Sequence, residues 1–541
     1  MACKVWTGVR PAAVISVVLL FLLQLGLSLL LLSPGLADQE AFRALLAHPQ
    51  IWGAARLTLF TGLASTALSL VAALVIVQQA RPRLAAEAGL FLAVPHLAFA
   101  LGLSLVIMPS GVLARACALL LNWTTPPGWV TTQDPLGLAL AAALVLKETP
   151  FVVWAFAGLL NREDLRTQFA GQMAAARSLG HGPHSAFLRI VVPQLLGRSA
   201  GAVIAVLVYG LTVVDMALVI GPTQPPTFAQ VIWSDLNDAD PAHEARGGAG
   251  VLLLALGIVL LLASGWLALR LGSPLLRRFL VRPAPVARQG FVAPLLWPLW
   301  KIVYTVVLAV LVVTSVAGLW RFPALLPDHL TLAAWQRALA DGGPLVTSLW
   351  LALATAAAAL GLVVLWCEAV PQRLDRLLLW PSLLLLCLPS LVLALGQYRL
   401  FLLAGQTGTA VALFLAHLMP VMAYVVIMLI APYRAHDPRW QASAAGLQAT
   451  RARFLLRVKW PMLKAPLLSA FAVGFAVSVA QYAPAQLVAA GRFSTLPMEA
   501  VTLASGGDRA VAASYGVMLA LLPLVVFIGS GLLSRPRWSN V

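Results

Sequence analysis

Few residues in this 541-residue chain are of types that could do chemistry, and their spacing excludes most of it. Lysine stands only at Lys4, Lys147, Lys301, Lys459 and Lys464, never after glycine. The Gly-Lys-Ser/Thr loop that cradles nucleotide phosphates and magnesium is therefore absent. Cys3, Cys117, Cys367 and Cys387 show no metal-ligand spacing and read as small hydrophobes, with neither a disulfide framework nor a zinc site. The stretch Pro222 to Arg246 collects Asp235, Asp238, Asp240, His243 and Glu244. Such a set can hold a metal or paired acids, but a solvated outer loop that meets another protein is the simpler reading. No nucleophile stands with a base in a constellation that survives the topology derived below.

Among the ionisable residues inside long apolar runs are Lys147 and Glu148, deep in the fourth, and Asp215, in the fifth. Charge in a bilayer is costly, so such residues are default candidates for a transport pathway. Lys147 and Glu148 are adjacent and point in different directions on a helix, so they cannot pair well with each other. Glu148 can instead anchor the cytoplasmic end of its helix. Asp215 can contact a cationic solute or hydrogen-bond between helices.

The elements that must position them are set by composition. The chain is 61% hydrophobic and 10% charged, with a mean hydropathy of +0.91, which no soluble core absorbs. Apolar runs of spanning length fall near 12–33, 54–78, 88–109, 136–160, 199–221 and 248–271, then near 297–319, 344–369, 378–401, 409–432, 465–490 and 512–533. The fold class expected is an all-α integral membrane protein of about twelve transmembrane helices. With a cytoplasmic N-terminus, 26 of the 36 Lys and Arg residues fall on inner loops and tails, which places both termini in the cytoplasm. The net charge of +17 then reflects topology and the anionic inner leaflet of the lipid bilayer, with no need for nucleic acid. The run Ala12 to Leu32 is longer than a usual signal-peptide core and reads as an uncleaved span, although Gly35-Leu36-Ala37 looks somewhat like a cleavage site.

The sequence repeats itself. Pro95-His96-Leu97-Ala98-Phe99-Ala100-Leu101-Gly102 and Pro389-Ser390-Leu391-Val392-Leu393-Ala394-Leu395-Gly396 share Pro-x-Leu-x-x-Ala-Leu-Gly. Leu63-Ala64-Ser65 answers Leu353-Ala354-Thr355, and Lys147 to Pro150 answers His417 to Pro420. The expected domains are residues 1–271 and 297–541, two parallel six-span repeats, joined by a basic, Pro-containing cytoplasmic tether at 272–296. Proline within these spans frees backbone carbonyls and can kink the helices.

The longest inner loops within each repeat follow the fourth and tenth spans, at about 162–198 and 433–464. Gly180 to Pro193 and Gln448 to Pro461 have the same spacing. Each loop reads as helix, turn, helix. Leu165, Phe169 and Met173 form one apolar stripe, Gly180-His181-Gly182 breaks the first helix, Asp437 can cap a helix starting at Pro438, and Thr450 can cap the next one. An amphipathic helix across the membrane face suits docking in a partner's groove.

These loops resemble the Glu-Ala-Ala loop of binding-protein-dependent ABC transporter permeases: Glu-Ala-Ala, three residues, Gly, nine residues, Ile-x-Leu-Pro. The matching positions are Ala174, Ala175, Ala176, Gly180, Ile190 and Pro193 in the first loop, and Ala442, Ser443, Ala444, Gln448, Val458 and Pro461 in the second. Both copies lack the acid, and the second lacks the glycine, so either the two loops dock unequally or the turn of the second shifts; Arg177, Arg189, Arg451 and Arg453 could face acidic groups on a partner. The fused arrangement looks like permeases for iron, thiamine and related solutes. The stretch Gln481-Tyr482-Ala483-Pro484 with Gly491 to Pro497 is most similar to the YnjC-like subgroup, and Gln481 and Tyr482 join Glu148 and Asp215 as pathway candidates. The resemblance implies an importer permease in a bacterial inner membrane, no catalytic residue or cofactor in this chain, ATP and magnesium on a separate ATPase in two copies, and an extracytoplasmic solute-binding protein. Two rivals remain. A twelve-span secondary transporter would usually carry a Gly-rich, Asp- and Arg-containing loop between spans two and three, where this chain has Gln79-Ala80-Arg81-Pro82-Arg83-Leu84. A membrane-embedded transferase would need the 235–244 cluster.

Overall fold

A bilayer offers the backbone no hydrogen-bond partner, so apolar runs of this length must satisfy their amides internally as helices. The computed structural model describes residues 11–32, 35, 38–79, 83–281 and 293–534. Among them the chain is helical without strands, apart from one antiparallel bridge between Ala317 and Leu330. Eight helices are long and apolar enough to cross a membrane, or eleven if each of three bent pairs is one span. The helix Pro11–Leu30 covers the first expected run.

Several expected spans are not single helices. The third is Leu84–Leu92 followed by His96–Ile107, with Pro95 capping the restart. The ninth is broken likewise, with Pro389 capping Ser390–Leu403 and a bend of 111° after Cys387. The fifth stops at Thr212 and resumes as Asp215–Ile220, and the eleventh stops at Val479 and resumes as Ala483–Ala489.

Proline explains part of this breakage, and side chains repair it. Pro95 has no N–H for the Phe91 carbonyl, which takes the Lys147 Nζ at 2.8 Å instead. Pro150 leaves the Leu146 carbonyl free, and Trp300 Nε1 (3.1 Å) and Tyr304 Oη (3.3 Å) donate to it. Pro420 does the same to Ala416, whose carbonyl accepts from Gln397 Nε2 at 3.3 Å. Each repair comes from a neighbouring helix, as a kinked span in lipid requires.

The glycine that closes the repeated motif has a packing reason. The early helix Pro11–Leu30 packs on Ser390–Leu403, and the later helix Ala293–Ser315 packs on His96–Ile107. Each half thus lends its first helix to the other. A Cβ on Gly396 would stand 2.3 Å from the Ser28 carbonyl oxygen, and one on Gly102 would stand 2.8 Å from the Val307 carbonyl oxygen. Small residues at such crossings let helix backbones approach closely. The crossing near Gly102 also carries Trp297 Nε1 and Lys301 Nζ, both on Glu87 Oε2, at 2.7 and 3.2 Å.

Two sequence expectations are corrected. The stretch 272–281 is not an extended tether, because the helix Pro241–Val281 continues through Pro274; one internal proline removes a hydrogen bond without ending a helix whose flanking residues remain good helix formers. The centre of the expected linker, 282–292, lies outside the described residues, as do Cys3, Lys4, Arg81, Pro82, Arg535 and Arg537. The acidic stretch is a solvated loop only in part: Asn237 to Ala242, with Asp238 and Asp240, are exposed, but most of the residues before them are not. Thr227 and Gln230 form a capping box that starts the helix Phe228–Leu236, and most of that helix is buried.

Candidate coupling loops and transport pathway

The two inner loops share one backbone design. In the first, the helix Glu163–Ser178 has both acids of its first turn at the positive end of its dipole. Leu165 and Phe169 are buried, Met173 is half-buried, and Ala176 ends the stripe at 5% exposure. The helix ends with Gly180 N–H on the Arg177 carbonyl (3.0 Å) and His181 N–H on the Ala176 carbonyl (3.1 Å), and Gly180 has φ +88°. That pair of bonds is a Schellman cap. In the second loop, Gln448 N–H bonds the Ala445 carbonyl and Ala449 N–H the Ala444 carbonyl, each at 3.0 Å, and Gln448 has φ +53°. The turn has not shifted. Glutamine adopts the left-handed backbone that glycine takes in the first copy. Asp437 Oδ1 accepts from Arg439 N–H at 2.8 Å, and the Thr450 side chain caps the next helix.

After each turn comes a short helix, a π-helical turn (Phe187–Val191 and Leu455–Lys459) and a bend of 70° or 76° into the following span. Most equivalent side chains have matching exposure. Ala174 and Ala175 are exposed like Ala442 and Ser443, whereas Ala176 and Ala444 are buried. Leu179 and Leu447 stand at the two tips at 77% and 84% exposure. Ile190, Pro193 and Val458 are half-buried and Pro461 is exposed.

Gln448→Gly should stabilise the chain by about 1 kcal/mol, because a non-glycine residue in the left-handed region pays roughly that cost. Gly180→Gln should lose a similar amount. Thermal unfolding midpoints of the two variants should therefore move in opposite directions from the parent.

The loops differ in how they are tied to the spans. Glu368, at the end of the helix Gly343–Ala369, accepts from Tyr433 Oη (2.8 Å), Lys459 Nζ (2.5 Å) and Arg451 Nη2 (2.9 Å). Arg434 bonds both Asp375 oxygens, at 3.0 and 2.7 Å, and Trp366 Nε1 adds a bond to Asp375 at 2.8 Å. Arg451 is thus spent inside the protein, contrary to its expected role facing a partner. In the first half the corresponding contact is a 2.7 Å hydrogen bond between Gln78 Nε2 and His184 Nδ1. The first loop helix spans 16 residues and the second, Arg439–Gly446, only eight.

Asp215, Gln481 and Tyr482 lie at helix breaks, and the fourth pathway candidate, Glu148, pairs with His96, which opens another restarted helix. Val214 (φ −110°, ψ −55°) and Tyr482 (φ −105°, ψ −64°) have matching backbone geometry just before each restarted helix. Asp215 opens the first restart and is half-buried. Glu148 sits in the middle of the helix Leu138–Leu160 and pairs with His96 Nε2 at 2.8 Å. It therefore does not anchor the cytoplasmic end of that helix. Lys147 turns away from Glu148 to the Phe91 carbonyl and lies 5.9 Å from the Tyr304 ring centre. The His96 ring lies 4.5 Å from that of Tyr209, and the Tyr482 ring lies 5.1 Å from that of Trp233. Gln481 Nε2 donates to the His417 carbonyl at 3.1 Å. Sequence reading missed His96, although an ionisable residue beside Pro95 within an apolar run was the available signal.

The acidic outer cluster resolves into separate pairs. Asp235 is buried against Arg246 at 2.8 and 2.7 Å, and Asp238 bonds His243 at 2.8 Å. Backbone N–H of Asp240 and the His243 ring hold the Asp238 carboxyl below its usual range. No three metal-binding side chains converge among the described residues. Cys367 is buried, Cys117 and Cys387 are half-buried, and all three are unpaired.

A bundle of apolar helices of spanning length, several of them broken, with two matching helix–turn–helix loops, suits a transport subunit. The chain belongs to the ABC transporter permeases. It is 32% identical over 515 residues to the inner membrane ABC transporter permease protein YnjC of Escherichia coli, covering 94% of this chain and 93% of that protein. It is also 22% identical over 147 residues to the spermidine/putrescine transport system permease protein PotC of Haemophilus influenzae, covering 27% of this chain and 57% of that one. No protein-family profile matches the chain. It is a multi-pass protein of the bacterial inner membrane.

Proposed function

We propose that this chain is the transmembrane permease subunit of an ATP-driven importer, two permease repeats in one polypeptide with a coupling loop in each. ATP and magnesium bind a separate ATPase, present in two copies, and an extracytoplasmic solute-binding protein delivers the solute. Both termini lie in the cytoplasm. What carries this reading is the matched pair of Schellman-capped loop helices, each presenting exposed small residues and an exposed leucine tip, Leu179 or Leu447, on one face. ATP-driven closure of the ATPases moves these helices, and the bends into the following spans pass the motion to the breaks at Asp215 and Tyr482.

The pathway runs past Glu148, Asp215, Gln481 and Tyr482. Its two carboxylates come from the first half, and Tyr482 of the second packs on Trp233 of the first, which suits a cationic solute; spermidine and putrescine stand in the name of the PotC relative.

The test is site-directed crosslinking in membranes that contain the whole transporter. Cysteines at Ala175→Cys and Ser443→Cys, the exposed equivalents in the two loops, should each crosslink to the ATPase; Ala444 is buried against the permease itself and makes a poor probe. Failure at both positions, with the chain folded, rejects the coupling assignment.

A further inference from the structure

At the end of the bundle opposite the coupling loops, a cavity of about 330 Å³ opens between Ser110-Gly111, Trp320 and Asp508-Arg509. Two guanidinium groups meet there. Arg115 belongs to the first half and is only 5% exposed. Its N–H groups go to the carbonyls of Ser110 (2.9 Å), Arg321 (2.8 Å), Ala324 (2.6 Å) and Trp320 (3.1 Å). Its carbon lies 4.8 Å from the Trp320 ring centre. Arg509 belongs to the second half and donates from Nη1 to Ser110 Oγ at 3.0 Å.

Neither arginine has an ion pair among the described residues. The cavity's one carboxylate, Asp508, is committed elsewhere. One oxygen accepts from Val511 N–H at 3.1 Å and the other pairs with Arg337. Carbonyl dipoles solvate Arg115 but do not cancel its charge, and buried charges are normally paired. The buried guanidinium of Arg115 and the exposed one of Arg509, on either side of the Ser110 hydroxyl, make a receptor for an oxyanion, since the planar fork matches carboxylate and sulfate geometry.

We propose that this cavity binds an oxyanion, a carboxylate or a tetrahedral anion, at the outer seam between the two halves. The anion is held by Arg509 and Ser110 Oγ within the positive field of Arg115. Its cations come from different halves, so the bound anion draws the halves together at this end. The source is either a free solute anion or an acidic side chain of an extracytoplasmic partner. The outer placement rests on the orientation proposed above, whereas the binding itself does not.

The experiment uses the full chain in lipid nanodiscs at constant ionic strength in chloride. Sulfate, glutarate and a short blocked peptide containing two glutamates are titrated, with a blocked glutamine peptide as the neutral control, and the unfolding midpoint is followed. A saturable rise with at least one anion is expected, and none with the neutral peptide. Arg509→Gln should raise the half-saturating concentration at least tenfold. Arg337→Gln should weaken binding as well, because it frees the Asp508 carboxylate to face the cavity. A response to sulfate or glutarate identifies a free-anion site; a response to the acidic peptide alone identifies a partner's side chain. No saturable response, or one unchanged in Arg509→Gln, overturns the proposal. None of these readouts requires the ATPase, so failure here and failure of the coupling crosslinks are separate results.

Discussion

Gly396→Ala should destabilise this protein more than an alanine at any glycine that faces open space. The added methyl would lie 2.3 Å from the Ser28 carbonyl oxygen and 2.9 Å from its carbon. Both are backbone atoms of a helix that crosses from the other half, and neither can rotate away. Relief requires the helix Pro11–Leu30 to move as a body, and overpacking of that kind costs about 1–3 kcal/mol, occasionally more. Gly102→Ala should follow as the milder case, because the contacts there are 2.8 Å and one of them is the flexible Val307 Cγ1. Gly257→Ala has nothing within 4 Å and should be neutral or slightly stabilising, since alanine is the better helix former. The order is read from unfolding midpoints and from the monodisperse yield in detergent. A Gly396→Ala protein as stable as Gly257→Ala would show that the crossing is not close.

The pair Gly102 and Gly396 also shows what the sequence makes legible. A repeated Pro-x-Leu-x-x-Ala-Leu-Gly stands out because its proline and glycine answer backbone demands, a helix restart and a close crossing, that few other residues meet. The loop helices are legible for the same reason: Gly180 fits a left-handed cap and Thr450 fits an N-cap. Where ordinary residues do unusual things, nothing marks them. Val213 and Val214 interrupt a span that hydropathy sees as continuous, because hydropathy records composition and not dihedral angles. Gln448 takes a positive φ without the residue type that announces one. The helices Phe228–Leu236 and Leu496–Ala504 have their first N–H groups bound at 2.8 Å by Thr58 Oγ1 and Ser348 Oγ, 170 and 148 residues away in sequence. Their burial is a tertiary fact, and so a polar stretch read as a loop is a packed helix. The knot around Glu368 was equally hidden. Its acid lies inside an apolar run and its cations lie 83 and 91 residues later.

That knot leads to the second large effect. Glu368→Gln keeps the shape of the side chain and removes the charge that joins Arg451, Lys459 and Tyr433. Two cations then remain partly buried without their anion. Breaking a buried pair from one side typically costs about 3–5 kcal/mol, and here the cost falls on the junction between the second loop and its span. Among the described residues the corresponding contact of the first loop is the hydrogen bond of Gln78 with His184, so Gln78→Ala should cost far less. Given the coupling role proposed above, Glu368→Gln should reduce ATP-driven uptake at least tenfold and weaken crosslinking from Ser443→Cys, while crosslinking from Ala175→Cys persists. A purely global loss of folding would remove both crosslinks together. Wild-type uptake with both crosslinks intact would mean that the ion network only packs the protein. The intermediate outcome, one crosslink weakened and uptake reduced, is the one the geometry predicts. It follows from a physical difference between the loops: the second is tied to its span through the buried Glu368 charge network, whereas at the matching place the first has the Gln78–His184 hydrogen bond.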